Sequence, residues 1–459
     1  MEVFFYRKDG SNNTHFRIDT CGCARSVHNI SYLSECGVLC RLSPIGSFHN
    51  LLTDKRKSAP HFLCISNPVF TELMDANCRC MKKILFTCAF LIFLLSCTEI
   101  IYIYEDAPSD KKEDVSDNSS SDINDDFHVI NLEESANCYI ISKEGAYSFK
   151  TVKGNSVESV GDVSVAEVLW ESFGTTQQPS TGDLIKQVSH DDGCVVFQTA
   201  SPFKEGNAVI ATKDKDGNIL WSWHIWLTDE PDECVYANNA GVMMDRNLGA
   251  TSATPGDVGA LGLLYQWGRK DPFLGSSSIS SSVEAKSTIS WPSSVSSSSS
   301  CGTISYVTEH PTTFITYNDA NHDWYYTGSS TTDNTRWQSE KTIYDPCPAG
   351  WRVLDGGSNG VWKQAGFPHG ANSHTYDSSD EGMLFGSGIS SPATWYPAAG
   401  YRSYNDGALR NVGYRGYYWS VTPSGYDAYG LDFDYEGGVS PTYYCGSRGG
   451  GRSVRCLQE

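Results

Sequence analysis

Between residues 138 and 227 apolar and polar side chains alternate in short runs, each closed by turn residues. The runs are 138–141, 147–150, 165–170, 194–199, 207–212 and 219–227. A period of two sends successive side chains to opposite faces, so each run is expected to form a strand. In 219–227, Ile219, Trp221, Trp223 and Ile225 share the face a core would cover. His224 falls on the other face and is expected at the surface or at a sheet edge. Asp216-Gly217 between the last two runs predicts a hairpin. The surrounding Asp214-Lys-Asp216-Gly-Asn218 resembles the start of a calcium loop, but Ile219 stands where an EF-hand requires glycine, so a plain turn is expected.

Strands in series without helical periodicity predict a small β-sandwich, immunoglobulin-like in general shape, over residues 136–230. Asp229-Glu-Pro231-Asp232 then reads as a linker, and the pattern changes. Leu261, Leu264 and Tyr265 lie on one face of a short helix expected over 257–268, and a second is expected near 361–365. Residues 276–300 hold fifteen serines in twenty-five, inside a serine-rich stretch, 275–301, expected as a mobile loop. Aromatic and glycine-rich short strands follow to the end. Among them Leu431, Phe433 and Tyr435 alternate with Asp432, Asp434 and Glu436, a half-buried strand with carboxylates on its outer face. The fold class expected is mainly β with a small α+β part.

Residues 81–97, MKKILFTCAFLIFLLSC, break this pattern. A methionine, two lysines (Lys82, Lys83), an apolar run and a terminal Ser96-Cys97 describe a secretory signal. The apolar run is too short for a membrane span, which needs about 20 residues. Leu94-Leu95-Ser96-Cys97 resembles a bacterial lipobox, although Leu95 is bulkier than the residue usual there. That resemblance implies a mature chain beginning at a diacylated (palmitate-carrying) Cys97, anchored to the outer membrane and facing outward from the cell envelope. Residues 1–80 are then expected to be a spurious, disordered upstream extension. They hold none of the twelve tryptophans and only four of the 42 glycines. Cys21, Cys23, Cys36 and Cys40 fall in no paired zinc-knuckle spacing. Nine acids between Glu105 and Asp126 make 98–135 an acidic flexible tether.

Of the 34 Lys and Arg, eleven lie at or before Lys83; of the 54 Asp and Glu, seven lie before Met81. The remainder carries 23 basic against 47 acidic residues, near −24, which argues against nucleic acid as a partner. An oxidising envelope permits disulfides among Cys138, Cys194, Cys234, Cys301, Cys347, Cys445 and Cys456, and their odd number leaves at least one thiol free.

The end of the chain carries an ordered series of motifs. Tyr344-Asp-Pro-Cys347-Pro-Ala-Gly-Trp351-Arg-Val353 precedes Ala399-Gly-Tyr401-Arg402, then Gly416-Tyr-Tyr-Trp419-Ser420, then Ser453-Val-Arg455-Cys456. The series resembles the FISUMP major-paralogous-domain family of bacterial surface proteins, over about residues 232–459. Asn247-Leu-Gly-Ala250 and Tyr265-Gln-Trp-Gly-Arg269 look like its upstream portion, while Leu354-Asp355 replaces the Pro-Thr common in it. The resemblance implies a C-type-lectin-like α+β domain whose chain ends meet, and with it a Cys347–Cys456 disulfide. Cys445 remains the competing partner for Cys456. Calcium-dependent lectins of this fold use an acidic-Pro-Asn loop, which is missing, and a Trp-Asn-Asp strand, of which Tyr317-Asn-Asp319 is the nearest trace. No cofactor is therefore expected. Ca2+ at Asp432, Asp434 and Glu436 is the alternative to a solvated carboxylate face.

Aromatic rings stack on sugars, and Trp395, Tyr401, Tyr417, Tyr426, Tyr429, Tyr443 and Tyr444 crowd the terminal region. The first five are the candidate ligand contacts. The function expected is a non-enzymatic, adhesin-like binder of a glycan or surface protein. A surface-fibre subunit offering an edge strand is the alternative. An enzyme of the formylglycine-generating kind is a third reading, needing a reactive cysteine pair. No HExxH or phosphate-cradling glycine loop stands out, and His310, His322 and His369 stand singly on expected loops.

Overall fold

The computed structural model describes residues 128–289, 294–367, 374–385, 390, 391 and 393–459, together with two short strands near the start. Cys97, the segment 81–97, most of the acidic tether, His369 and the side chains of Tyr443, Tyr444 and Cys445 lie outside the described residues. Contacts divide the chain into residues 1–118 and 119–459. In the first unit Phe16–Ile18 pairs antiparallel with Ala24–Ser26. The second unit is mainly β.

Its first part builds two four-stranded sheets. In one the order is Cys138–Ile141, Ile219–Leu227, Gly206–Lys213, Val165–Ser172; in the other it is Val129–Asn131, Ala146–Lys150, Cys194–Thr199, Ile185–Asp191. Asp214 Oδ1 accepts from the amides of Asp216 and Asn218, and Gly217 adopts φ +87°, so the expected hairpin forms. The alternation places Trp221, Trp223, Ile225 and Leu227 in one core with Phe149, Val195 and Phe197 of the other sheet.

His224 is not at a surface or edge; it is buried. The strand Ile219–Leu227 is covered on both faces, because Trp226 on the second face packs with Met244, Leu248, Leu263 and Trp267. Both-face burial is the reason this strand reads as an almost continuous apolar run. Trp226 Nε1 donates to the Ala250 carbonyl (3.0 Å), and Asn207 Nδ2 donates to that of Gly249 (2.9 Å). The segments before and after residue 230 thus share a core.

The later part carries a five-stranded sheet ordered Trp351–Val353, Cys456–Gln458, Gly241–Met244, Glu233–Tyr236, Ser390–Ser391. Beside it runs a larger sheet: Phe273–Leu274, Leu263–Gln266, Gly451–Ser453, Arg415–Ser424, Asp427–Asp434, Val439–Ser447, with Tyr401–Arg402 attached to Gly451–Ser453. Cys347 and Cys456 form a disulfide in the shared core. The helix expected over 257–268 is a single 3-10 turn, Val258–Ala260, followed by the strand Leu263–Gln266. Gly262 at φ +70° ends the turn, and all four residues of that strand are buried, a pattern that mimics a helical face. The short helix Val361–Ala365 forms where expected. In the serine-rich stretch Thr288 hydroxyl donates to Thr175 O, and Val295–Ser296 pairs with Ile315–Thr316. Among the described residues no helix is long and apolar enough to cross a membrane.

Candidate functional site

A cavity of about 360 Å³ opens on the larger sheet, lined by Tyr317, His322, Tyr401, Tyr404, Tyr417, Asp427, Ser447 and Arg452. Each comes from an element with its own reason to be there. Tyr401 and Arg402 alternate on a two-residue strand. Arg402 is buried and donates to the carbonyls of Leu274 (2.9 Å) and Gly407 (2.7 Å) and to Ser287 Oγ (2.6 Å), which fixes the turn that carries Tyr404. The Tyr317 amide donates to the Tyr404 carbonyl (3.0 Å). Gly449 allows Tyr317 in, since a Cβ there would lie 2.8 Å from Tyr317 Cβ and 3.0 Å from its nitrogen.

His322 is left-handed (φ +54°), and its carbonyl accepts from the Ser447 hydroxyl. Behind this loop Asp323 and Arg336 form a wholly buried ion pair, with Arg336 against the Trp267 and Trp324 rings at 5.2 and 4.7 Å. Arg448 lies 4.2 Å from the Trp267 ring centre. This arginine–tryptophan stack anchors the segment bearing Tyr317 and His322.

Within the cavity Tyr401 meets Tyr417 edge to face at 5.1 Å, and Tyr317 meets Tyr404 likewise at 5.0 Å. The Arg452 guanidinium lies 5.4, 4.8 and 4.8 Å from the rings of Tyr401, Tyr417 and Trp419. Burial raises the Asp427 carboxyl above its ordinary value, while the charges of His322, Arg452 and Arg448 draw it back down. Burial likewise raises the Tyr417 hydroxyl, which accepts from Asn411 Nδ2 (3.0 Å). Such a site offers ring faces, one carboxylate and several donors to a ligand.

Of the five candidate contacts, Tyr401 and Tyr417 line the cavity. Tyr426 is exposed, with its ring 5.7 Å from that of His322. Trp395 is buried over Gly382, and Tyr429 packs on Gly357; both lie apart from the cavity lining. Tyr317, Tyr404, His322, Asp427, Ser447 and Arg452 were not among the expected contacts. The i, i+3 spacing of Tyr401 and Tyr404 is the one local trace of the grouping. The carboxylate row is not uniformly outward. Asp432 is buried and paired with Arg415 (2.7 Å), and Asp434 Oδ1 accepts from the amides of Glu436 and Gly438 to close a turn. The turn swings Glu436 outward, where it is exposed. Among the described residues no group of three or more His, Cys, Asp or Glu could hold a metal ion.

A second polar group lies in the core. Cys138 Sγ is 3.2 Å from His224 Nδ1, and His224 Nε2 is 2.8 Å from Asn207 Oδ1. Because Asn207 gives its amide hydrogens to Gly249, its oxygen faces the ring, so Nε2 carries the proton and Nδ1 accepts from the thiol. The arrangement has the order of a nucleophile, base and orienting amide. Burial reverses the ionisation that chemistry needs: it depresses His224 to about 3 and pushes the Cys138 thiol well up. Burial thus favours the neutral form of both partners.

Comparison with family models, with curated proteins and with solved structures returned no match.

Proposed function

We propose that the chain is a cell-envelope lipoprotein, anchored through Cys97 at the outer membrane, that binds a glycan at the cell surface without catalysing its conversion. The observation that carries this reading is the cavity walled by Tyr317, Tyr401, Tyr404 and Tyr417 with Asp427, Ser447 and Arg452 between them. Apolar ring faces with a few polar groups are what a sugar, apolar on its C–H faces and polar at its rim, requires. Two sheets sharing one core support an immunoglobulin-like sandwich as the first module. The disulfide between Cys347 and the last strand's Cys456, which draws the end of the chain back to residue 347, supports the C-type-lectin-like reading of the second. The same bond favours a binder over an enzyme of the formylglycine-generating kind, since Cys456 is buried and oxidised rather than presented in a cleft.

The test is a glycan array probed with the purified full-length chain and its Tyr404→Ala variant. Tyr404 contributes a ring to the cavity, and its backbone contact to Tyr317 survives the change. Binding that falls at least about tenfold, some 1.4 kcal/mol, in the variant is expected. An array without hits, or hits indifferent to Tyr404, would remove the reading.

A further inference from the structure

Resting on the glycan reading, we infer that the cavity takes an uncharged pyranose without a bridging cation, the Asp427 carboxylate accepting from a pair of neighbouring sugar hydroxyls. Size gives the first constraint. At about 360 Å³ the cavity lies at the low end of small-molecule sites, roughly 300–1,000 Å³, which suits one or two sugar rings.

Chemistry gives the second. Among the described residues the Asp427 side chain has no hydrogen-bond partner, although the residue lines the cavity and is partly shielded from water. An ionised carboxylate only accepts, and with two oxygens it can hold two donors at once. Adjacent equatorial hydroxyls supply such a pair. A ligand carboxylate would supply none, and would share this volume with a second negative charge. The Arg452 guanidinium lies over three ring faces, and its charge draws the Asp427 carboxyl down. It therefore balances the carboxylate instead of leaving a net positive site for an acidic sugar.

The third constraint concerns cations. Calcium takes six to eight oxygens at roughly 2.3–2.6 Å. Among the described residues Asp427 is the only carboxylate lining the cavity, and Tyr404, Tyr417 and Ser447 bring neutral hydroxyls. Such a set holds sugar hydroxyls directly, with Tyr rings covering the C–H face.

Calorimetry on the full-length chain with matched methyl pyranosides and methyl uronides of glucose, galactose and mannose, each pair differing only at C6, tests this. One neutral glycoside is expected to bind at least tenfold tighter than its uronide, unchanged by EDTA. Asp427→Asn is expected to weaken the neutral sugar at least tenfold and to narrow the gap to the uronide, with its thermal midpoint unchanged. The narrowing separates a contact role from a merely structural one. A uronide bound as tightly as the neutral sugar, loss of binding in EDTA, or an indifferent Asp427→Asn would each overturn the inference. If no pyranoside binds, the inference fails. Array hits that still depend on Tyr404 would then leave the glycan reading standing, and their absence would end both.

Discussion

His224 shows how burial turns a single side chain into a pH-dependent term in stability. Its folded value, about 3, lies below the ordinary 6.5, so below pH 6.5 the unfolded chain takes a proton that the folded chain refuses. Stability from this group is present above pH 6.5 and falls as pH drops toward 3, by up to about 1.4 kcal/mol per unit. Asp345 has the opposite sign. Burial raises it to about 6, although its oxygens accept from the amides of Cys347 and Val353, so its contribution is full below pH 3.8 and lost as pH rises through 6. The two oppose each other between about pH 4 and 6, so their contributions to the slope largely cancel there. In His224→Gln only the Asp345 limb remains of the two. Chemical unfolding at pH 6, 5 and 4 should show the variant gaining stability toward acid relative to wild type, by close to one proton's worth of slope. Parallel curves would contradict the neutral burial of this histidine.

At the scale of elements, Gly449 decides where the loop bearing Tyr317 can sit. Gly449→Ala would press a methyl group against Tyr317, at a cost of about 1–3 kcal/mol if the loop held still, so the loop yields instead. Sugar binding should fall about tenfold, 1.4 kcal/mol, while the thermal midpoint moves little. Unchanged binding would place Tyr317 outside the contact surface. Strands were legible where side chains on the two faces differ in burial, as in Cys194–Thr199, whose limits the alternation marks. Ile185–Asp191 was not, because this edge strand carries Lys186, Gln187, Ser189, His190 and Asp191 and little apolar signal. Leu263–Gln266 failed for the converse reason: buried throughout, it has no polar phase to reveal its period.

For the whole molecule the decisive feature is the core shared across residue 230, held by Trp226, Met244, Leu248 and Trp267. Trp226→Ala should cost about 3–5 kcal/mol and lower the unfolding midpoint of residues on both sides of 230 together. Two separated transitions, only the earlier one shifted, would contradict a common core. Replacing both Cys347 and Cys456 by serine opens a link spanning 109 residues and should cost about 2–5 kcal/mol in the same assay, while the cavity, whose lining includes neither residue, still binds sugar. The cavity itself was the least legible feature. Its walls come from residues between 317 and 452, joined by strand pairing and by the buried Arg336, Arg402 and Arg448, and no local period records such a convergence. The most direct measurement is a structure of the chain with the neutral glycoside that binds best. A sugar ring lying against the tyrosines, with two hydroxyls within hydrogen-bond reach of Asp427 and no cation between them, is the predicted result. A ligand seated elsewhere, or held through a metal ion, would contradict the account.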